Sequence, residues 1–305
     1  MTNSSKQVGS TQAGNIADSI GEGSSVARPA PLTRSLTARP GFVLANQDPR
    51  STPGFDGDKK AGVALLAETM PELADLQERL YAASTADSTA TLLLVVQGMD
   101  TSGKGSIMRH VVGSLDPHGV RYTAFKAPTV AEKRHPFLWR IRNALPASGQ
   151  VGIFDRSHYE DVLIGRVHNL VPPATWSRRY GQINSFEETL SRTGTTIVKV
   201  MLNLSRDEQK IRLSERLERP DKHWKYDPHD LDERERWDAY QEAYQVAVDK
   251  CSTDSAPWFV VPADRRWYAR LAVQQLVVEH LRVMAPQWPP ASFDLKAEKA
   301  RLAQT

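Results

Sequence analysis

Cysteine is nearly absent: Cys251 stands alone in 305 residues. No intrachain disulfide can form, and a reducing, cytoplasmic setting is expected. Cys251 has no partner nearby in sequence for metal ligation or nucleophilic chemistry, so a packing role at a helix end is expected of it. No apolar run approaches the ~20 residues that a membrane-spanning helix needs, so no membrane partner is expected. Met1–Ser35 lacks the apolar core of a secretory signal. Charge of one sign is not in excess either: 39 Lys and Arg against 36 Asp and Glu leave a net charge of +3. That balance gives no bulk attraction to nucleic acid, so any polyanion site has to come from local clustering. Internal repeats are absent. What is present is 40% hydrophobic residues, enough for one full core with appendages.

The most informative stretch is TLLLVVQGMDTSGKGSIM, Thr91 to Met108. Its run Leu92–Val96 is short, continuous and apolar, as in a strand buried on both faces of a parallel sheet. The spacing Gly98-x-x-x-x-Gly103-Lys104 follows, and then a segment able to continue as a helix. Strand, glycine-bounded loop with a terminal Lys, then helix is the context of a phosphate-binding P-loop. Glycines let the backbone curl so that N–H groups face an anion, and Lys104 can reach the terminal phosphates. The Ser or Thr that usually follows the Lys and ligates Mg²⁺ is Gly105 here, with Ser106 one residue late. A carboxylate, Asp100, sits inside the loop instead. It is expected to hold Mg²⁺ or to accept a proton, since an acid in a phosphate cradle needs one of these to separate the charges.

Along the chain, residues 1–38 read as a disordered tail rich in Ser, Thr, Gly and Ala. Arg39 to Gly62 reads as an ordered arm anchored by Phe42, Val43, Leu44 and Phe55. Leu65 to Ala83 has helical apolar spacing. Further strands are expected at Val120–Lys126, Gln150–Phe154, Thr195–Leu204 and Trp258–Val261, and a long last helix at Trp267–Met284. The third strand delivers Asp155 at its carboxyl end, as a Walker B strand does. Alternating strands and helices in one domain, 39–284, predict a parallel five-stranded sheet with helices on both faces. Residues 285–305 read as a loose tail. His158 reads as a packed, hydrogen-bonded residue, and Trp224, Trp237 and Trp267 as core or staple residues.

Between the fourth and fifth strands, Arg212 and Arg216 lie four apart on one helix face. Arg219, Lys222 and Lys225 extend the positive charge. A segment here, about 206–232, is expected to form a helical lid that brings arginines to the transferring phosphoryl group.

Several longer segments carry a resemblance: QGMDTSGKG, FKAP at Phe125–Pro128, DRSHYEDVLIGRVH at Asp155–His168, and RYGQINSFE at Arg179–Glu187. So do KHWKYDPHDLDERERWDAYQEAY and APWFVVPADRRWYARL. In this order they make the chain resemble, from about Arg39 to Met284, the second family of polyphosphate kinases. The wording is most like the class that uses both AMP and ADP. The resemblance implies a thymidylate kinase-like P-loop kinase fold. It also implies Mg²⁺-dependent phosphoryl transfer between inorganic polyphosphate and a nucleoside mono- or diphosphate (ADP/AMP or GDP/GMP). A homo-oligomer is expected, and no nucleic-acid partner. Asp100, Lys104, Asp155, Arg156 and Arg216 are expected to be catalytic, with Asp100 and Asp155 on the metal. Gly98, Met99, Thr101, Ser102, Gly103, Gly105, Ser106, Lys126, Arg166, Arg212, Arg219, Lys222 and Lys225 are expected to bind phosphate or nucleotide. The competing readings are an ATP-dependent nucleotide kinase and a P-loop relic kept as a binding module.

Overall fold

The computed structural model describes Met1 and residues 31–305. The chain enters through a short helix α1 (Leu32–Leu36), runs as an irregular arm, and then forms α2 (Lys59–Glu68) and α3 (Met70–Ala83). Strand β1 (Thr91–Gln97) and helix α4 (Lys104–His110) precede β2 (Val120–Ala124), α5 (Trp139–Asn143) and β3 (Val151–Asp155). A one-turn helix α6 (Ile164–Val167) and the long α7 (Pro173–Arg192) lead to β4 (Thr195–Asn203). Helices α8 (Arg206–Glu218), α9 (His229–Glu235) and α10 (Trp237–Cys251) follow, then β5 (Trp258–Pro262), α11 (Arg266–Met284) and α12 (Leu295–Leu302). All strand pairs are parallel, in the order β2-β3-β1-β4-β5.

The sheet separates two cores, and β1 shows how. All seven of its residues are buried, and successive side chains leave a strand on opposite faces. Leu92, Leu94 and Val96 pack with Leu73 and Leu80 of α3, Ile107 of α4 and Leu276 of α11. Leu93 and Val95 pack with Ile183 and Phe186 of α7 and Ala243 and Ala247 of α10. Each large apolar side chain buried this way contributes about 1.5–3 kcal/mol, which is why the central strand is apolar throughout between Thr91 and Gln97. The chain leaves β1 toward β2 on one side and later crosses from β3 to β4 on the other. Parallel α/β sheets bind ligands at such a reversal, beyond the carboxyl ends of the strands. Here Val96 stands in register with Asp155, so the loops after β1 and β3 emerge side by side.

Some expectations need correcting. Leu32 and Leu36 are 0% and 2% exposed, and Glu279 accepts hydrogen bonds from the backbone N–H groups of Leu32 and Thr33 at 2.7 and 2.9 Å. The ordered fold therefore begins ahead of the expected boundary at 38; a single helical turn is too short to show periodicity. Residues 2–30 of the expected tail lie outside the described residues. The single helix expected over Leu65–Ala83 is two helices that meet at Thr69, with Pro71 in the first turn of α3. Proline has no N–H to continue the ladder. The arm is ordered, with Leu44 and Phe55 buried, although Val43 is exposed. Trp237 is buried, but Trp224 is 76% exposed and belongs to no core. The C-terminal tail carries α12, capped by Asp294, and buries none of that helix's residues. Cys251 is buried at the end of α10, as expected. No helix among the described residues is long and apolar enough to cross a membrane.

An ionic network lies in the core. Nζ of Lys199, in β4 and fully buried, donates to Oε2 of Glu187 at 2.6 Å, to Oη of Tyr159 at 2.9 Å and to the Cys251 carbonyl at 2.6 Å. Oε1 of Glu187 also accepts from Tyr159 Oη at 2.9 Å and lies 3.0 Å from His158 Nε2, so His158 is the packed, bonded residue expected. The network ties the segment after β3 to β4 and α7. Burial alone would raise the Glu187 pKa; the Lys199 ammonium and His158 outweigh it and hold the carboxyl below its ordinary value. A lowered folded-state pKa stabilises the fold at pH values above the unfolded pKa, and that stability is lost as the pH falls toward the folded value. Replacing Lys199 by Met strands a buried carboxylate. We expect Lys199→Met to lower stability in urea unfolding by about 3–5 kcal/mol at pH 7, with a smaller loss in acid, where Glu187 is protonated.

Candidate active site

The turn after β1 is made possible by its backbone. Gly98 has φ +154°, and a Cβ there would lie 2.7 Å from Ser102 Oγ and 3.0 Å from the Leu202 carbonyl. Gly103 has φ +114°. Thr101 (φ +63°) and Arg156 (φ +65°) are left-handed without being glycine. Such residues cost on the order of 1 kcal/mol or more and persist where the surroundings hold them. The Lys104 side chain folds over the loop, with Nζ donating to the carbonyls of Gly98 at 2.6 Å and Met99 at 3.2 Å. Burial pulls the Lys104 pKa below its ordinary value, against the opposing pull of Asp100.

The segment after β3 meets this loop. The Arg156 N–H donates to the Val96 carbonyl at 3.1 Å, and its Nη2 donates to Asp100 Oδ1 at 2.9 Å. Glu160 Oε2 lies 3.8 Å from Arg156 Nη1. Burial raises the Glu160 pKa, opposed by Arg156 and Lys104. Asp155, at the end of β3, accepts from Tyr122 Oη at 3.3 Å; burial, then Asp155, pushes that phenol up to about 12. The charges of Asp100, Arg156, Asp155 and Glu160 all act on the Lys104 ammonium.

These groups open on a cleft of about 480 Å³ that brings together most of the expected residues. Asp100, Thr101, Ser102, Gly103, Lys104, Gly105 and Ser106 form one wall, with Asp155 and Arg156 beside them. Arg216, Arg219, Lys222 and Lys225, from the end of α8 and the 3₁₀ segment after it, line the same cleft, and Arg212 borders it. Gly98 and Met99 line a smaller adjoining cavity of about 210 Å³, which also contains Asp100, Arg156 and Glu160. Arg216 Nη1 is held by Asp230 Oδ2 at 2.9 Å and the Lys225 carbonyl at 3.0 Å. Lys225 has its pKa lowered by partial burial and then by Lys222, Arg109 and Arg216, the signature of cations crowded on one side of a cleft.

Three expected phosphate ligands are placed otherwise. Lys126 is exposed beyond β2 and lines neither cavity; its carbonyl accepts from Arg140 Nη1 at 2.7 Å. Arg166 pairs with Glu242 of α10 and lies over the Trp176 ring at 4.9 Å, because α6 turns it toward α7 and α10. Arg212 borders the cleft but is 3% exposed, with every guanidinium N–H committed to a protein oxygen. Ser106 is also engaged: its Oγ accepts from Arg270 Nε at 2.7 Å. Sequence reasoning missed Arg109, Arg266, Arg270 and Glu160. Arg266 and Arg270 lie four apart at the start of α11, a pairing legible in the sequence. That α11 starts beside the P-loop is not.

A hard divalent cation fits this donor set. Among the described residues no three His, Cys, Asp or Glu form a ready metal cage. Asp100 and Asp155 nevertheless both line the cleft, and Mg²⁺ commonly takes one or two carboxylates and completes its shell with water and substrate phosphates.

Comparison with known proteins agrees with this geometry. The profile of the polyphosphate kinase 2 (PPK2) family matches residues 56–289. An AMP/ADP-polyphosphate phosphotransferase of Meiothermus ruber is 44% identical over 248 residues, 81% of this chain and 91% of that protein. An ADP-polyphosphate phosphotransferase of Rhodopseudomonas palustris is 38% identical over 252 residues, 79% of this chain and 86% of that protein. Among solved structures, polyphosphate kinase 2 from Arthrobacter aurescens TC1 superposes with a TM-score of 0.87 at 56% identity, covering 88% of this chain and 95% of that one. A glycine-bounded turn after β1, a carboxylate at the end of β3 and a cleft lined by cations accord with these relatives, and the chain belongs to the polyphosphate kinase 2 family.

Proposed function

We propose that this chain transfers a phosphoryl group between inorganic polyphosphate and a nucleoside mono- or diphosphate, AMP and ADP foremost. The observation that carries the reading is the shape of the charge. The cations do not stop at the P-loop but include Arg216, Arg219, Lys222 and Lys225 from α8 and the segment after it, Arg109 of α4, and Arg266 and Arg270 of α11, all lining one cleft. A nucleotide's short phosphate chain reaches only part of that length, whereas a polyphosphate reaches all of it.

Phosphoryl transfer passes through a loose transition state, so catalysis is mainly positioning and charge neutralisation. Lys104 supplies a positive charge where the loop receives the transferring group. Arg156, fixed by Asp100, orients the phosphates beside it, and Arg216 approaches from the opposite wall. The lid lies within the segment at about 206–232. Asp100 and Asp155 would hold Mg²⁺, which would supply charge neutralisation at the phosphates. A terminal phosphate has its second pKa at about 6, so the attacking oxygen is already largely ionised at neutral pH. That removes the need for a general base and favours Asp100 as a metal ligand over a proton acceptor.

The direct test is donor choice. Purified protein given ADP and Mg²⁺ is expected to form ATP from polyphosphate, to use GTP poorly as donor, and to stop when Mg²⁺ is chelated. Efficient transfer from GTP with none from polyphosphate would make it an ordinary nucleotide kinase. Lys104→Ala should lower kcat/KM on the order of 10²–10³-fold while the protein still folds and unfolds cooperatively. Activity near wild type would remove Lys104 from the site.

The far end of the cationic wall makes a separate prediction. Each phosphate contact through a solvated cation adds to the salt sensitivity of binding. The apparent affinity for long polyphosphate is expected to fall more steeply with ionic strength than that for ADP. Lys222→Ala and Lys225→Ala should flatten the polyphosphate slope and spare kcat, as measured by initial rates over a range of salt concentrations. Equal slopes for both substrates would take the polyphosphate path away from this wall.

A further inference from the structure

The phosphate loop is gripped from behind by a single helix. Nε2 of Gln209 donates to the Asp100 carbonyl at 3.1 Å. Nη1 of Arg212 donates to the carbonyls of Thr101 at 2.9 Å and Ser102 at 3.1 Å. Three successive loop carbonyls therefore face α8. In a trans peptide the N–H points opposite its C=O, so the N–H groups of Thr101, Ser102 and Gly103 are turned away from α8; that of Ser102 donates to the Met99 carbonyl at 3.1 Å.

Arg212 has no donor left for a ligand. A guanidinium carries five N–H groups. Two reach the loop; Nε donates to Glu208 Oε1 at 2.8 Å, and Nη2 donates to the carbonyls of Ala263 at 2.7 Å and Asp264 at 3.0 Å. The residue thus joins α8, the P-loop and the turn between β5 and α11, while 3% exposed. Gln209 is fixed in turn, its Oε1 accepting from Arg234 Nη1 at 3.0 Å. Asp264 closes the arrangement by accepting from the backbone N–H and Oγ of Ser205, each at 2.8 Å.

We propose that Arg212, assisted by Gln209, is a positioning residue that holds the P-loop carbonyls outward and so keeps its N–H groups presented to phosphate. The role rests on the phosphate reading of the cleft given above. It separates α8 into two parts. The turns carrying Gln209 and Arg212 belong to the static floor of the site, and the residues from Arg216 onward are the part able to move over it. Charge is not what Arg212 contributes: lysine would keep the charge but has three donors on a single atom, and cannot span the same oxygens.

Binding of tripolyphosphate and of long polyphosphate, measured by calorimetry at several salt concentrations, tests this in Arg212→Lys, Arg212→Gln and Gln209→Leu. Loss of carbonyl bonds from Arg212 should weaken both ligands by the same factor, on the order of tenfold. Lys and Gln variants should be weakened alike, with the salt slope of wild type. Gln209→Leu should show a smaller loss of the same kind. Retained affinity in Arg212→Lys with a flattened slope in Arg212→Gln would make Arg212 a direct phosphate contact and overturn the inference. So would unchanged affinities with only a lower Tm, which would make the role merely structural. If neither Arg212 variant folds, Gln209→Leu decides: weaker binding at an unchanged slope supports the inference, and unchanged binding overturns it. A wild type that binds no tripolyphosphate would overturn the phosphate reading and this inference with it. Binding by wild type and all variants alike would overturn this inference alone.

Discussion

A loop that turns its N–H groups toward an anion turns its carbonyls the other way, and buried carbonyls must find donors. In this protein the donors come from Gln209 and Arg212 of α8. Much of the architecture serves that requirement. Strand β4 places α8 beside the loop, Ser205 caps α8 against Asp264, and Asp264 follows β5. The left-handed Thr101 and the glycines at 98 and 103 are tolerable because the loop is bonded on one face and roofed by Lys104 on the other.

Charge balance forms a second layer on this scaffold. Asp100 would repel phosphate, yet Arg156 engages one of its oxygens at 2.9 Å and Lys104 lies close enough to feel its charge. The cleft is therefore acidic at its base and cationic along its walls. That is the distribution expected where a divalent cation sits between carboxylates and phosphates. The strained Arg156 backbone is anchored by the buried network of Lys199, Glu187, Tyr159 and His158, which begins two residues later. Buried ionic groups of this kind contribute little net stability compared with apolar packing. Here they fix the direction in which the segment after β3 leaves the sheet.

Much of the fold was legible before the structure. Leu92–Val96 reads as a strand buried on both faces because nothing in it is polar, and β3 and β5 are comparably short and mostly apolar, whereas β4 is longer and β2, VRYTA, is largely exposed. Gly98 and Gly103 carry a backbone requirement that few other residues could meet, and Lys104 follows them directly. Legibility failed where sequence distance and spatial distance part. Arg166, in a segment that looks functional, is turned by the single turn of α6 onto Trp176 and Glu242. Lys126 sits beyond a strand at the sheet edge and points to solvent. Leu32 and Leu36 show too little periodicity to reveal a helix docked on β5 and α11. Trp224, aromatic and therefore expected inside, is exposed because the 3₁₀ turn after α8 has no core beneath it.

Arg212 marks the boundary between the two kinds of information. Local sequence determines that it lies on a helix four residues from Arg216, because helical periodicity depends only on near neighbours. The P-loop itself is determined in the same way, since its glycines and Lys104 act through their own backbone and side chain. The tertiary structure alone decided that Arg216 faces the cleft while Arg212 faces the loop's carbonyls. That choice depends on Thr101, Ser102, Ala263 and Asp264, which only the packed sheet brings together. A guanidinium binds whatever oxygen surrounds it, and its surroundings are long-range.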